Sequence, residues 1–327
     1  MAKVNKLQFL LVFFIVGCLF AAHTAAANQS DALTRFTYTQ YHMGVDARLV
    51  VYAPDRQTAE KACAAAFARM AALDSIMSDY RRDSELMRLC DRGGGRISPD
   101  LFKVISAAQE VSRKSDGAFD VTVGPLVQLW RTARKARVLP QPEEIAAARR
   151  LVGWKKVRLD PRTRTVRLTV PRMRLDLGGI AKGYAADQAQ RILKKHGITR
   201  ALVELGGDIV VSGPPPGTKG WTIRVPNAGK GKAPVDMRLA SCAISTSGDT
   251  EQFAVIGGVR YSHVVDPRTG RALANRVQTT VVARDGLTSD PLSTALTVLD
   301  PKGRRQLLKA YPGAKSFVRV LNTRASP

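Results

Sequence analysis

Leu175-Asp176-Leu177-Gly178-Gly179-Ile180-Ala181-Lys182-Gly183-Tyr184-Ala185-Ala186-Asp187 is the stretch from which the rest of the chain can be read. An apolar, strand-like run ends at Asp176. Two glycines follow, where bare backbone can approach a ligand closely. Ile180, Tyr184, Ala185, Gln188, Ile192 and Leu193 then fall at helical spacing. A glycine turn opening a helix offers unpaired N–H groups and a positive dipole end to an anion, and Lys182 adds a charge one turn in. Asp176 suits a base or a ribose hydroxyl better than a phosphate. The combination points to a nucleotide-like ligand, although neither G-x-G-x-x-G nor G-x-x-x-x-G-K-[ST] is present.

Upstream, residues 155–174 read as a hairpin turning at Pro161-Arg162-Thr163. Downstream, Gly197 ends the helix, Ala201–Leu205 is a buried strand, and Gly206-Gly207-Asp208 turns into Ile209-Val210-Val211. Residues 57–78 predict a helix that Thr58 can cap, and Ser78-Asp79-Tyr80 ends it. Tyr80 in that polar break can stack on an aromatic ligand. Ser98-Pro99 starts another helix, after a flexible Gly93-Gly94-Gly95 turn. Gly117-Ala118-Phe119-Asp120 is a loop with an aromatic and a carboxylate side by side, fit to hold a ring's face and edge, and a helical run to Trp130 follows it. Residues 133–150 read as a basic insertion whose last part is a helix opened by Pro142. Residues 33–52 read as one extended lead-in containing His42-Met43-Gly44. Strands are expected at Trp221–Val225 and near Met237–Leu239. Ile244 to Asp249 is a strand running into a hydroxyl-rich turn, and Tyr261–Thr269 brings His263 into a strand that ends at Pro267. Pro291 at the first position of a last helix would make Asp290 its N-cap. Thr294 lies one turn on, so the pair can share a hard cation that prefers oxygen ligands.

The chain has 327 residues, 45% hydrophobic and 24% charged, which excludes global disorder. Lys3, Lys6, the apolar run Leu7 to Ala22 and Ala25-Ala26-Ala27 form an export signal over residues 1–27, leaving a mature part 28–327. Ile15-Val16-Gly17-Cys18 also allows a lipoprotein signal, with Cys18 as the lipidated residue. Both readings put the mature protein outside the cytoplasm, most simply in a periplasm. Cys63, Cys90 and Cys242 permit one disulfide and show no metal-ligand spacing. Lys and Arg number 51 against 27 Asp and Glu, for a net charge of +24. Arg131 to Arg174 alone holds fourteen basic residues and three acids. Such a surface reads first as a solvated one, and it can also attract anionic membranes or acidic proteins. The basic residues are not interleaved with aromatics, which argues against nucleic acid.

Taken in order, these landmarks resemble the ApbE-type FAD:protein FMN transferases, from about Tyr41 to Val320. The motifs that carry the resemblance are Met43-Gly44, Ser78-Asp79-Tyr80, Gly117–Asp120, Leu175–Gly183, Gly206-Gly207-Asp208, Thr246–Asp249, His263–Gly270 and Asp290 with Thr294. The resemblance implies a single α+β domain outside the cytoplasm that binds FAD and Mg²⁺. It implies transfer of FMN to a Thr or Ser hydroxyl of a flavoprotein subunit with an FMN-binding domain, releasing AMP. By it, Met43, Tyr80, Ala118, Phe119, Asp120, Asp176, Lys182 and the backbone near Val264 hold FAD. The Gly179 carbonyl, Asp290 and Thr294 hold the metal, and His263 takes the acceptor's proton. Gly179 stands where the family commonly has Ala or Ser, and Pro291 where it has Ala. The same residues also suit an FAD pyrophosphatase, and a flavin-binding protein without turnover is the reading of another class.

Overall fold

The computed structural model describes residues 33–225, 234–248 and 253–320. The expected leader with Cys18, and Asp249, lie outside them. The expected extended lead-in is in fact a hairpin. Strands β1 (Thr34–His42) and β2 (Val45–Ala53) pair antiparallel across Met43-Gly44. Both turn residues have positive φ, 52° and 80°, as a two-residue turn matching the strands' twist requires.

Five more strands complete a sheet: β3 (Ala201–Leu205), β4 (Asp208–Val211), β5 (Cys242–Ser247), β6 (Val277–Ala283) and β7 (Lys315–Val320). All seven lie in chain order and every neighbour is antiparallel. Residues 54–200 intervene between β2 and β3 and supply most of the helices.

Alternation sorts the sheet's side chains onto two faces. Leu49, Val51, Val203, Leu205 and Val210 face three helices: α1 (Arg56–Met77), α2 (Ala181–Lys195) and α3 (Gly286–Val298). Val50, Leu202 and Val211 face the other way, against Trp221, Ile223, Val225 and Leu239 of a covering hairpin, 221–225 with 235–239. Each such buried aliphatic side chain contributes roughly 1.5–3 kcal/mol. The result is the α+β class expected.

Several local expectations need correction. The cap of α1 is Asp55, which accepts the Thr58 N–H at 2.7 Å; Thr58 is the donor, one turn inside. Gly93 is a left-handed helix end, and Gly94–Arg96 is not a loose turn but a strand paired with residues 165–167. No strand leads into Asp176; its N–H is instead taken by the Val121 carbonyl at 2.8 Å. The helix expected to end at Trp130 runs from Gly124 to Ala136. Cys63, Cys90 and Cys242 are all free. The hairpin 157–160 with 165–168, the helix 142–150 and the Ser98 cap are as expected.

The largest correction concerns α3. It starts five residues earlier than Pro291 suggests, because Asp285 accepts the Thr288 N–H at 2.9 Å and caps it. Asp187, on α2, takes the Gly286 and Leu287 N–H groups at 2.8 and 2.9 Å. With three N–H groups satisfied at 286–288, Asp290 is not the cap. It sits within the helix, and Pro291 costs one internal hydrogen bond. Helices α2 and α3 touch backbone to backbone at Gly183 and Gly286, where a Cβ on either would lie 2.2 Å from the other's carbonyl oxygen.

Candidate active site

One end of the sheet gathers the turns that the sequence singled out. Gly206, between β3 and β4, abuts Val45 beside the Met43-Gly44 turn, and the Thr246 N–H donates to the Gly207 carbonyl at 3.0 Å. Asp208 pairs with Ser245 in the same register. The N-terminus of α2 and the second turn of α3 are directed to this end.

Lys182 is the centre of the charge pattern. Its Nζ is 2.8 Å from Asp208 Oδ2, 4.0 Å from Asp290 Oδ2 and 3.3 Å from the Gly178 carbonyl. Burial opposes its charge, but Asp208 and Asp290 outweigh burial and hold the ammonium above its ordinary range. Asp290 is 2% exposed and accepts the Gly183 N–H at 3.0 Å. Burial and the neighbouring Asp208 push its carboxyl up to about 7, against the pull of Lys182.

Thr294 lies one turn beyond Asp290. Its Oγ1 is 3.1 Å from Ser247 Oγ, which is 2.7 Å from Ser293 Oγ. A Cβ on Gly179 would lie 3.1 Å from Thr294 Oγ1 and 3.2 Å from Phe119 Cε2. Glycine here lets the turn press against both. Alanine would ask those neighbours to give a few tenths of an ångström.

A second cluster flanks the turn on the Asp176 side. Asp176 Oδ1 accepts the Gly178 N–H at 2.8 Å, and Oδ2 is 3.3 Å from Arg131 Nη2. Arg131 also holds Asp79 at 2.5 Å and lies 4.3 Å over the Tyr80 ring. Burial, with Asp79 close by, raises the Asp176 carboxyl above the usual carboxylate range. Tyr80 is 76% exposed, so its other face is open for stacking.

Ala118, Phe119 and Asp120 are buried. The Asp120 carboxylate holds the loop's own shape: it accepts the Thr122 N–H and hydroxyl at 2.8 and 2.7 Å and the Trp154 N–H at 2.7 Å. Met43 is half-buried on the tight turn. His263 is half-buried between the strand 259–262 and Val264, whose N–H donates to Ser262 Oγ at 3.1 Å. Val264 packs into the core that holds Phe119 and Leu177.

The structure thus joins Tyr80, Asp176, Gly179, Lys182, Asp290 and Thr294, while Met43, Val264 and His263 are placed through their neighbours. It adds Asp208, Arg131 and Ser247. Asp208 stood in the Gly-Gly-Asp turn with no role assigned, although an acid opening a buried strand was the available signal. Arg131 carried none beyond its place in a basic run. Among the described residues, no group of three or more His, Cys, Asp or Glu is arranged to hold a metal. The oxygen set here is one carboxylate with a hydroxyl and a glycine turn.

The antiparallel α+β domain defines a fold class shared with known flavin transferases. The ApbE family profile matches residues 43–318, and the chain belongs to that family. An FAD:protein FMN transferase of Vibrio cholerae is 36% identical over 231 residues, covering 68% of this chain and 69% of its own. One from Klebsiella pneumoniae is 30% identical and covers 88% and 85%. The crystal structure of the Pseudomonas stutzeri flavinyl transferase ApbE superposes with a TM-score of 0.78 at 29% identity, covering 90% and 93%. The ApbE protein of Thermotoga maritima gives 0.77 at 32%, covering 87% and 94%.

Proposed function

We propose that this transferase moves FMN from FAD to a Thr or Ser hydroxyl of an acceptor flavoprotein, releasing AMP. The observation that carries this reading is the Lys182–Asp208–Asp290 cluster, a half-buried lysine on two buried acids where helix α2 starts behind Gly178-Gly179. A helix N-terminus with a lysine beside it suits a pyrophosphate. Tyr80 stacks on a ring of the substrate, and Asp176 accepts from its base or ribose.

His263 takes the proton of the acceptor hydroxyl. The hydroxyl oxygen bonds to the phosphorus nearest riboflavin. The bond from that phosphorus to the bridging oxygen breaks, and AMP leaves with the electron pair. Lys182 offsets charge on the phosphate oxygens.

The donors near Asp290 fit Mg²⁺. They are all oxygens, the ligands such an ion prefers, and one of them is a carboxylate only 2% exposed. The Gly179 carbonyl, Asp290 and Thr294 would hold the ion, which when bound neutralises negative charge on the pyrophosphate. Residues 1–27 support export, placing the reaction outside the cytoplasm. The acceptor would be a flavoprotein subunit with an FMN-binding domain, and the enzyme would reach a membrane through that subunit or through a lipid on Cys18.

The test is incubation with FAD, Mg²⁺ and an FMN-binding domain, reading protein-bound flavin fluorescence and AMP together. Fluorescent acceptor plus AMP is expected. AMP with free FMN alone would make the chain a pyrophosphatase. His263→Ala should still bind FAD but lose transfer by roughly 10²-fold or more; unchanged transfer would remove His263 as the base.

A further inference from the structure

Of the basic stretch 131–150, Arg131 and Arg134 face the Asp176–Tyr80 cluster. The second half of the stretch, with the segment after His263, forms a groove of about 580 Å³. Leu139, Pro142 and Ile145 line one side, and Tyr261, Ala272 and Arg271 the other. Arg149 also lines it. The floor is rigid: Trp130 Nε1 donates to the Gly270 carbonyl at 2.8 Å, and its ring lies 5.4 Å from that of Tyr261. Leu139 is 41% exposed. The only charged side chains on the lining are the two arginines. The nearby Glu144 is turned onto the Gln141 N–H at 2.8 Å.

The groove is tied to the His263 segment through the chain. Tyr261 precedes His263 by two residues, roughly 7 Å along an extended chain. Leu273, next to Ala272 on the lining, accepts the Ser262 N–H at 2.8 Å and donates to the Val264 carbonyl at 2.9 Å. The residues on either side of the expected base are thus hydrogen-bonded to the segment that forms one groove wall.

We propose that this groove docks the acceptor, through an extended segment beside the hydroxyl that receives FMN. The segment presents an apolar side chain to the Ile145–Tyr261 floor and a carboxylate to Arg149 and Arg271. The inference rests on the transferase reading. Charge selects the occupant: an apolar floor rimmed by two arginines, with no acid, favours an acidic segment over a basic one. A site that recognises the acceptor beside the base also sets which hydroxyl is modified, since binding energy away from the reacting atoms fixes their alignment.

Two variants test this, Ala146→Trp, which fills the groove from an exposed helix position, and Arg271→Glu. The probe is an FMN-binding domain with a single attachment threonine that the wild-type enzyme labels. AMP release is followed against domain concentration, and FAD affinity is measured separately. Each variant should raise KM for the domain at least about tenfold, as loss of an interface anchor does. Affinity for FAD should stay within about twofold, because neither residue is part of the FAD site. An acidic-to-Lys change beside the domain's threonine should hurt the wild type and be partly rescued on Arg271→Glu. Unchanged KM in both variants would overturn the groove. So would a change in oligomeric state, which would assign the groove to a second copy of this chain. Absence of AMP from the wild type would instead overturn the transferase reading itself.

Discussion

Gly183→Ala is a substitution that helix propensity recommends and the structure forbids. Gly183 is the third residue of α2, where alanine would by itself add about 1 kcal/mol of stability. The new Cβ would lie 2.2 Å from the Gly286 carbonyl oxygen and 2.8 Å from the Asp290 Cβ. Carbon and oxygen normally stay at least ~3.3 Å apart, so the two backbones must separate by about 1 Å. Neither obstacle is the free end of a flexible side chain. Overpacking of this kind costs roughly 1–3 kcal/mol or more, and a net loss of about 2 kcal/mol would lower the melting temperature by roughly 4 °C or more. The functional loss should be larger than the stability loss. The Gly183 N–H to Asp290 bond, 3.0 Å long, would open, and Asp290 would shift away from Lys182. A displacement of about 1 Å can cost ~10²-fold in rate. Thermal melting and AMP release on the same preparation read both effects. A variant that melts with the wild type and turns over at its rate would refute the close crossing and the argument built on it.

Other expectations follow from the same geometry. Mg²⁺ should raise the melting temperature of the wild type and leave that of Asp290→Asn unmoved; an equal rise in both would take Asp290 out of the metal site. Tyr80→Ala should weaken FAD binding by roughly 1–3 kcal/mol, measured by flavin fluorescence, if the exposed ring face stacks; an unchanged Kd would leave Tyr80 as the seat of Arg131 alone. Burial pushes the Asp187 carboxyl up to about 6, above its ordinary 3.8. The stability it contributes is therefore present below pH 4 and lost as pH rises through 6. Relative to Asp187→Asn, the wild type should lose up to about 3 kcal/mol between pH 4 and 7. Urea unfolding across that range checks it, and a pH-independent difference would contradict it.

What the sequence made legible was local. Helices α1 and α2 announced themselves by period, and Ser98 by capping chemistry. The Met43-Gly44 hairpin was hidden because methionine is not a residue that marks a left-handed turn. The start of α3 was misread because Pro291 looked like a first-turn proline, while the caps that outweigh it come from Asp285 and, a hundred residues away, Asp187. The site divides the same way. The family motifs supplied Asp176, Lys182, Asp290 and Thr294. Their electrostatics depend on pairs such as Lys182 with Asp208 and Arg131 with Asp79, which no local spacing encodes.

The order of strands in the sheet also sets the tempo at which the chain can fold. Each pairing but one joins strands within about seventy residues, yet Val51 must find Ala201. Closing that loop is entropically slow. Until the glycine turn and α2 have formed, β2 presents a bare row of amides and Leu49-Val50-Val51 to whatever is near, a surface prone to pair with strangers. Refolding from denaturant should therefore show its slow phase in the docking of the N-terminal hairpin.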